Sequence, residues 1–139
     1  MTPAFEIRTT LRLMSSTQSP EQITRALGIE PDHSWVMGEA VGRTAMRHKQ
    51  HSWQLRAQLP ADAGLESQVR DVLSRVLPAA EAVRTFAAAN QAYISCAIRL
   101  HGSETPPIGL SAETITALAR LGLGFDLDLY VQAPEPSTT

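Results

Sequence analysis

The chain opens on strict alternation. Phe5, Ile7, Thr9, Leu11 and Leu13 share one side of an extended segment, and Glu6, Arg8, Thr10 and Arg12 share the other, which predicts a strand with one buried face. The stretch "SSTQSPEQ" then turns the chain. Ser19 is a natural helix N-cap, Pro20 suits the first helical position and Gln22 completes a capping box. Ile23, Ala26 and Leu27 form the predicted buried stripe of this helix, which stops at Gly28 before Pro31. Two copies of one tripeptide follow, His33-Ser34-Trp35 and His51-Ser52-Trp53. "HSWVMG" reads as a short strand. "HSWQLRAQL" reads as a stronger one, with Trp53, Leu55, Ala57 and Leu59 inward and Ser52, Gln54, Arg56 and Gln58 outward. Both tryptophans are expected to plug the core. The polar connector "GEAVGRTAMRHKQ" makes the pair a hairpin with a long basic loop.

Helical spacing returns over about Leu65 to Ala89, where Leu65, Val69, Val72, Leu73, Val76, Ala80, Val83 and Ala87 recur on one face. Pro78 interrupts this run and predicts a bend around the core, with a break into two helices as the alternative. "AYISCAIRLHG" alternates again, with Ile94, Cys96, Ile98 and Leu100 inward. Ser111 caps a third helix with a stripe at Ile115, Leu118, Ala119 and Leu121, ended by Gly122. The last strand, "FDLDLYV", puts Phe125, Leu127, Leu129 and Val131 inward and Asp126, Asp128 and Tyr130 outward.

The order is β-α-β-β-α-β-α-β. One-sided strands imply a mostly antiparallel sheet with helices on one face. The expected fold class is therefore α+β: a ferredoxin-like sandwich with a five-stranded sheet, occupying residues 1–133 as a single domain, with a disordered tail at 134–139. A weak internal echo supports a two-part origin, since "SPEQITRALGI" and "SAETITALARLGL" share a serine cap, an Ile-Thr pair and a terminal Leu-Gly.

Composition narrows the function classes. A length of 139 residues with 43% hydrophobic content suits one core. The net charge of -2 gives no overall attraction to nucleic acid. No apolar run approaches the roughly 20 residues needed to span a bilayer. The single cysteine, Cys96, allows no internal disulfide. A soluble, cytoplasmic protein with no membrane association is the expectation.

At this point the residues match a pattern. "LGIEPDHSWVMGE", a connector, "HSWQL", a long helix and "IGLSAETITALARLGLGFDLDLY" together resemble a bacterial family known as domain of unknown function 4279. The matching positions are Leu27, Gly28 and Pro31; Ser34-Trp35 with Gly38; Trp53; and Asp126, Asp128 and Tyr130. The chain departs from the pattern where Ser34 and Trp35 adjoin without a spacer. The resemblance runs from Phe5 to Val131. It implies a fold and no activity, cofactor or catalytic residue.

The candidate chemistry is sparse. His33, His48 and His51 could converge, but no cysteine pair or His-Glu-x-x-His pattern accompanies them, so neither a metal nor a cofactor is expected. Arg43, Arg47, His48 and Lys49 make the connector basic, and its glycines would let an anion approach; an anion or nucleic-acid contact through Arg43, Arg47 and Lys49 is the second reading. No aromatic residue interleaves that cluster, which disfavours nucleic acid. Alternation alone collects Arg8, Arg12, Gln54, Arg56, Tyr93, Arg99, His101, Asp126, Asp128 and Tyr130 on the outer sheet face. Arginine and tyrosine are enriched at contacts between proteins. The first reading is thus a binding module whose sheet face, through Arg8, Arg12, Arg56, Tyr93, Arg99, Asp126, Asp128 and Tyr130, meets a protein partner or a second copy of the chain. A hydrolase built on Asp126 and Asp128 with His101 is a third reading, but no nucleophile motif goes with it and no catalytic residue is assigned.

Overall fold

A computed structural model describes residues 3–131, so the expected tail at 134–139 lies outside the described residues. The elements follow the order read from the sequence: β1 (Phe5–Ser15), α1 (Pro20–Leu27), β2 (His33–Trp35), β3 (His51–Arg56), α2 (Leu65–Val76), a 3-10 turn (Leu77–Ala79), α3 (Ala80–Ala89), β4 (Gln91–Leu100), α4 (Ala112–Leu121) and β5 (Gly124–Val131). The fold is α+β, with one open five-stranded sheet ordered β2-β3-β1-β4-β5. β1 pairs antiparallel with both β3 and β4, β2 antiparallel with β3, and β5 parallel with β4. The β2-β3-β1-β4 part is compatible with a ferredoxin-like sandwich, and β5 is an extension beyond it.

Local chemistry explains the element ends. Ser19 accepts a hydrogen bond from the Gln22 amide (3.2 Å), and the Gln22 side chain accepts one from the Ser19 amide (2.9 Å), closing the capping box. Ser111 caps α4 by accepting from the Thr114 amide. Gly122 ends α4 at φ 73°, a left-handed geometry that favours glycine, and an added Cβ there would sit 3.1 Å from that of Ala87. Pro78 does more than bend the long helical run. With no amide hydrogen and a ring against the preceding turn, it replaces a helical turn by the 3-10 segment, and two separate helices result.

The core lies between one sheet face and the helices. α1 packs on β3, α2 on β1 and α3 on β4. Ile7, Leu11 and Leu13 of β1 face Leu55 and Trp53 of β3 and Ile94, Cys96 and Ile98 of β4, all buried. Cys96 meets the Thr9 hydroxyl at 3.5 Å, and burial pushes its thiol pKa up, as suits an unreactive core residue. Phe86, on α3, joins the core although the periodic reading passed over it.

Several inward assignments are corrected. Trp53 is fully buried and donates its indole N–H to the Thr24 hydroxyl (3.0 Å), but Trp35 is only half-buried. The β2–β3 register pairs Ser34 with Trp53 and Trp35 with Ser52, so the two indoles lie on opposite flanks of the ribbon. Leu59 is exposed because β3 ends at Arg56. Ala26 is exposed, and α4 presents Thr114, Leu118 and Leu121 to the core, leaving Ile115 and Ala119 outside. Phe125, Leu127, Leu129 and Val131 of β5 are also exposed: α4 packs mainly against α2 and α3, so this outermost strand has no helix beneath it.

After Arg56 the chain swings out from β1. The Ala57 amide donates to the Thr9 carbonyl (2.9 Å) and the Ile7 amide to the Ala61 carbonyl (2.7 Å), so residues 57–61 bow away between these two anchors. Gln68 of α2, 1% exposed, fills the gap. Its side-chain amide donates to the carbonyls of Ile7 (2.8 Å), Ala63 (3.1 Å) and Pro60 (3.3 Å). No helix among the described residues is long and apolar enough to cross a membrane.

Candidate binding face of the sheet

The even-numbered side of β1 carries no helix. Cross-strand register places its neighbours in rows. Thr10 sits between Arg56 of β3 and Ser95 of β4, and Ser95 faces Asp126 of β5. One row along, Arg12 sits between Gln54 and Tyr93. In the other direction Arg8 faces Ala97, which faces Asp128. Beyond it Glu6 faces Arg99, which faces Tyr130. All eight residues expected on this face, Arg8, Arg12, Arg56, Tyr93, Arg99, Asp126, Asp128 and Tyr130, do share it.

The row geometry makes a centre at Thr10. Strand rise puts Arg8 and Arg12 each about 7 Å from it along β1, and strand spacing puts Arg56 and Ser95 each about 5 Å to either side. The small side chains of Thr10, Ser95 and Ala97 leave a depression of about 430 Å³, and Arg8, Arg12 and Arg56 line it together with them. Bowing of residues 57–61 supplies its far wall, through Ala57, Leu59 and Ala61. None of these three guanidinium groups forms an ion pair or a side-chain hydrogen bond among the described residues. Asp126 and Asp128 stand on the edge strand, outside the lining of the depression. The face is therefore bipolar, cationic at its centre and anionic at the β5 margin.

The other face residues are partly engaged. Arg99 lies over the ring of Tyr130, 5.7 Å from its centroid, a cation–π contact. Tyr93 directs its hydroxyl to the Met14 sulfur at 3.8 Å. His101 meets Glu6 at 2.9 Å between Nε2 and Oε2. That hydrogen bond holds the Glu6 carboxyl below its usual range, helped by the charges of His101, Arg8 and Arg99 and opposed by partial desolvation. His101 thus serves Glu6, which weakens the catalytic arrangement of His101 with Asp126 and Asp128.

The basic connector folds on itself as a small arm. The amides of Gly38, Val41, Thr44 and His48 donate to carbonyls within residues 39–48, and Ala40 bridges Arg47. Arg47 donates to the Gly38 carbonyl at 3.3 Å, while Arg43 and Lys49 are exposed. With those amides already bonded, the arm offers an anion side chains and few free backbone donors. The histidines of this region are taken up by other contacts. Trp35 stacks on His48 (centroids 4.2 Å apart) and meets His33 edge-on (5.6 Å), and the Met37 amide donates to His51 Nδ1 (3.0 Å). No group of three or more metal-ligating side chains occurs among the described residues.

Alternation missed the floor of the depression. Ser95 and Ala97 attract no notice as residue types, and only their places beside Thr10 and Arg8 give them a role. Gln68 was unreadable too, since a polar residue on a helix gives no sign that it reaches under a strand.

Compared with protein-family models, residues 5–132 match one described as a domain of unknown function, DUF4279. No curated protein and no solved structure matches the chain.

Proposed function

The chain belongs to the DUF4279 family, and from that premise we propose that it is a binding module whose bare sheet face takes a protein partner carrying an acidic segment. One observation carries the reading: Arg8, Arg12 and Arg56 surround Thr10 and Ser95, and none of the three guanidinium groups sits in an ion pair among the described residues. Guanidinium groups are suited to carboxylates because their fixed N–H fork can donate two parallel hydrogen bonds. A partner's Asp or Glu would lie over Thr10, with the Thr10 and Ser95 hydroxyls as further donors. Tyr93 and Tyr130 offer flat, partly apolar contact around that anchor, and Asp126 and Asp128 repel acidic segments laid towards the β5 margin, which fixes direction. A cytoplasmic setting belongs to the same proposal, supported by a lone cysteine sealed in the core.

Titration with a polyglutamate peptide, and affinity capture from the native host, test this with one set of variants. Arg8→Glu/Arg56→Glu should unfold at the wild-type temperature yet lose both the peptide and the captured partner, while Asp126→Asn keeps them. Peptide binding should weaken as salt rises. A wild-type chain indifferent to the peptide, or a double variant that retains its partner, would show that the face is an ordinary solvated surface.

A further inference from the structure

The rows around Thr10 bring cations to one point from three sides. Arg8 and Arg12 flank Thr10 along β1, each about 7 Å away by strand rise, and Arg56 stands directly across on β3, about 5 Å away. Ser95 of β4 closes the fourth side, and Thr10 makes the floor. Arg8 and Arg56 are exposed and Arg12 is half-buried, so all three can be reached from above the sheet. Two carboxylates stand near the cluster, and both are engaged elsewhere. Glu6 meets His101, and Asp32 accepts from the backbone amide of Arg56 at 2.7 Å.

This layout discriminates between anions. A carboxylate entering from above stands on edge over the floor, and its lone pairs lie in one plane. It can meet guanidinium groups on two sides of that plane, which leaves the third without an acceptor. A phosphomonoester ends in a tripod of three oxygens and carries a charge of about −1.5 to −2 at pH 7. One oxygen can turn to each arginine, with the Thr10 and Ser95 hydroxyls as further donors. The positive patch is also bounded. Asp126 and Asp128 on β5 lie directly beside Ser95 and Ala97. A nucleic-acid strand, with a phosphate at every step, would carry its next charges over that acidic margin. A lone phosphoryl group would not. The walls are no taller than the arginine stems, which suits a short side chain, and the bare strands around the depression leave room for a peptide backbone.

We propose that the group seated over Thr10 is the phosphoryl group of a phosphoserine or phosphothreonine in the partner's segment. The proposal rests on the reading of this face as the site for an acidic protein partner, and it names the group that the face selects.

Fluorescence anisotropy tests it with a short labelled peptide of alanine and glycine whose central residue is phosphoserine, glutamate or serine. The phosphoserine peptide should bind about tenfold or more tightly than the glutamate peptide, and the serine peptide weakest of all. Arg8→Gln and Arg56→Gln should each remove most of that preference while circular dichroism and thermal unfolding stay as in the wild type. Arg56→Lys, which keeps the charge and loses the planar fork, should lose part of it and serves if a glutamine variant misfolds. Free O-phosphoserine and a single-stranded oligothymidylate should each compete less well than unlabelled phosphopeptide. Equal binding of the phosphoserine and glutamate peptides would overturn this inference and leave the acidic-partner reading standing, whereas binding of neither would overturn both. A preference for phosphoserine that survives in the arginine variants, or competition by either free ligand as strong as by the phosphopeptide, would also overturn it.

Discussion

Two tryptophans in identical tripeptides should respond very differently to removal. Trp53 is fully buried, under α1, and its indole N–H is bonded to Thr24. A buried indole hides about 150–250 Å², and at about 25 cal/mol per Å² the transfer energy alone is roughly 4–6 kcal/mol. Partial collapse of the site offsets some of that, so Trp53→Ala should cost about 3–5 kcal/mol, a large share of the roughly 5–15 kcal/mol that holds a domain folded. Trp35 is half-buried, and its ring contacts are with His33 and His48. Trp35→Ala should cost about 0.5–1.5 kcal/mol, the scale of one aromatic pair. Urea unfolding followed by far-ultraviolet circular dichroism measures both. Acrylamide quenching of Trp35→Phe and Trp53→Phe, each with one indole left, separates the environments directly: Trp53 should be protected and Trp35 quenched. Equal stability losses, or equal quenching, would refute the register that sets the two rings on opposite flanks.

Two further outcomes follow from buried or paired polar groups. Gln68→Leu keeps the volume but removes the side-chain donor from the carbonyls of Ile7 and Ala63, while the Pro60 carbonyl keeps the Ala63 amide; at about 1–3 kcal/mol for each buried unsatisfied group, the urea midpoint should fall by the equivalent of at least about 2 kcal/mol, and an unchanged midpoint would show that the bow at 57–61 holds itself. Glu6 is held below its usual carboxylate value by His101, so its charge favours the folded state fully above the unfolded pKa and loses that effect as pH falls through the lower folded one. The stability gap between wild type and Glu6→Gln should therefore shrink only below the ordinary carboxylate range, and a gap constant down to strong acid would disprove the pairing.

How much of this the sequence could carry depends on what each pattern reports. Element order and helix ends were legible because caps and alternation are local: Ser19 with Gln22, Ser111 and the glycines at 28 and 122 act on their own few residues. The long helix left its break open because Val76 and Val83 keep phase on both sides of Pro78, so periodicity was silent where the backbone changed. Side of the sheet was legible as well, since parity along a strand fixes it whatever the strand order, and the arginine-bearing side of β1 was identified on that basis alone. Neighbours were not. Parity gave Phe125, Leu127, Leu129 and Val131 a common flank, but whether a helix covers that flank depends on β5 being outermost and on α4 leaning towards α2 and α3. Trp35 fails for a related reason. A one-residue slip of β2 along β3 would bring its indole round to the core side with Trp53. The register actually formed pairs His33 with Gln54, and the arm's own turns between Gly38 and His48 bring the two strands together that way. The cationic face and the β5 flank therefore rest on different grounds. The cationic centre needs parity plus the adjacency of β3, β1 and β4, which the core itself enforces through Leu55, Leu11 and Ile94. The β5 flank rests on a position in the sheet that no core residue demands, and its exposure follows from that place at the edge.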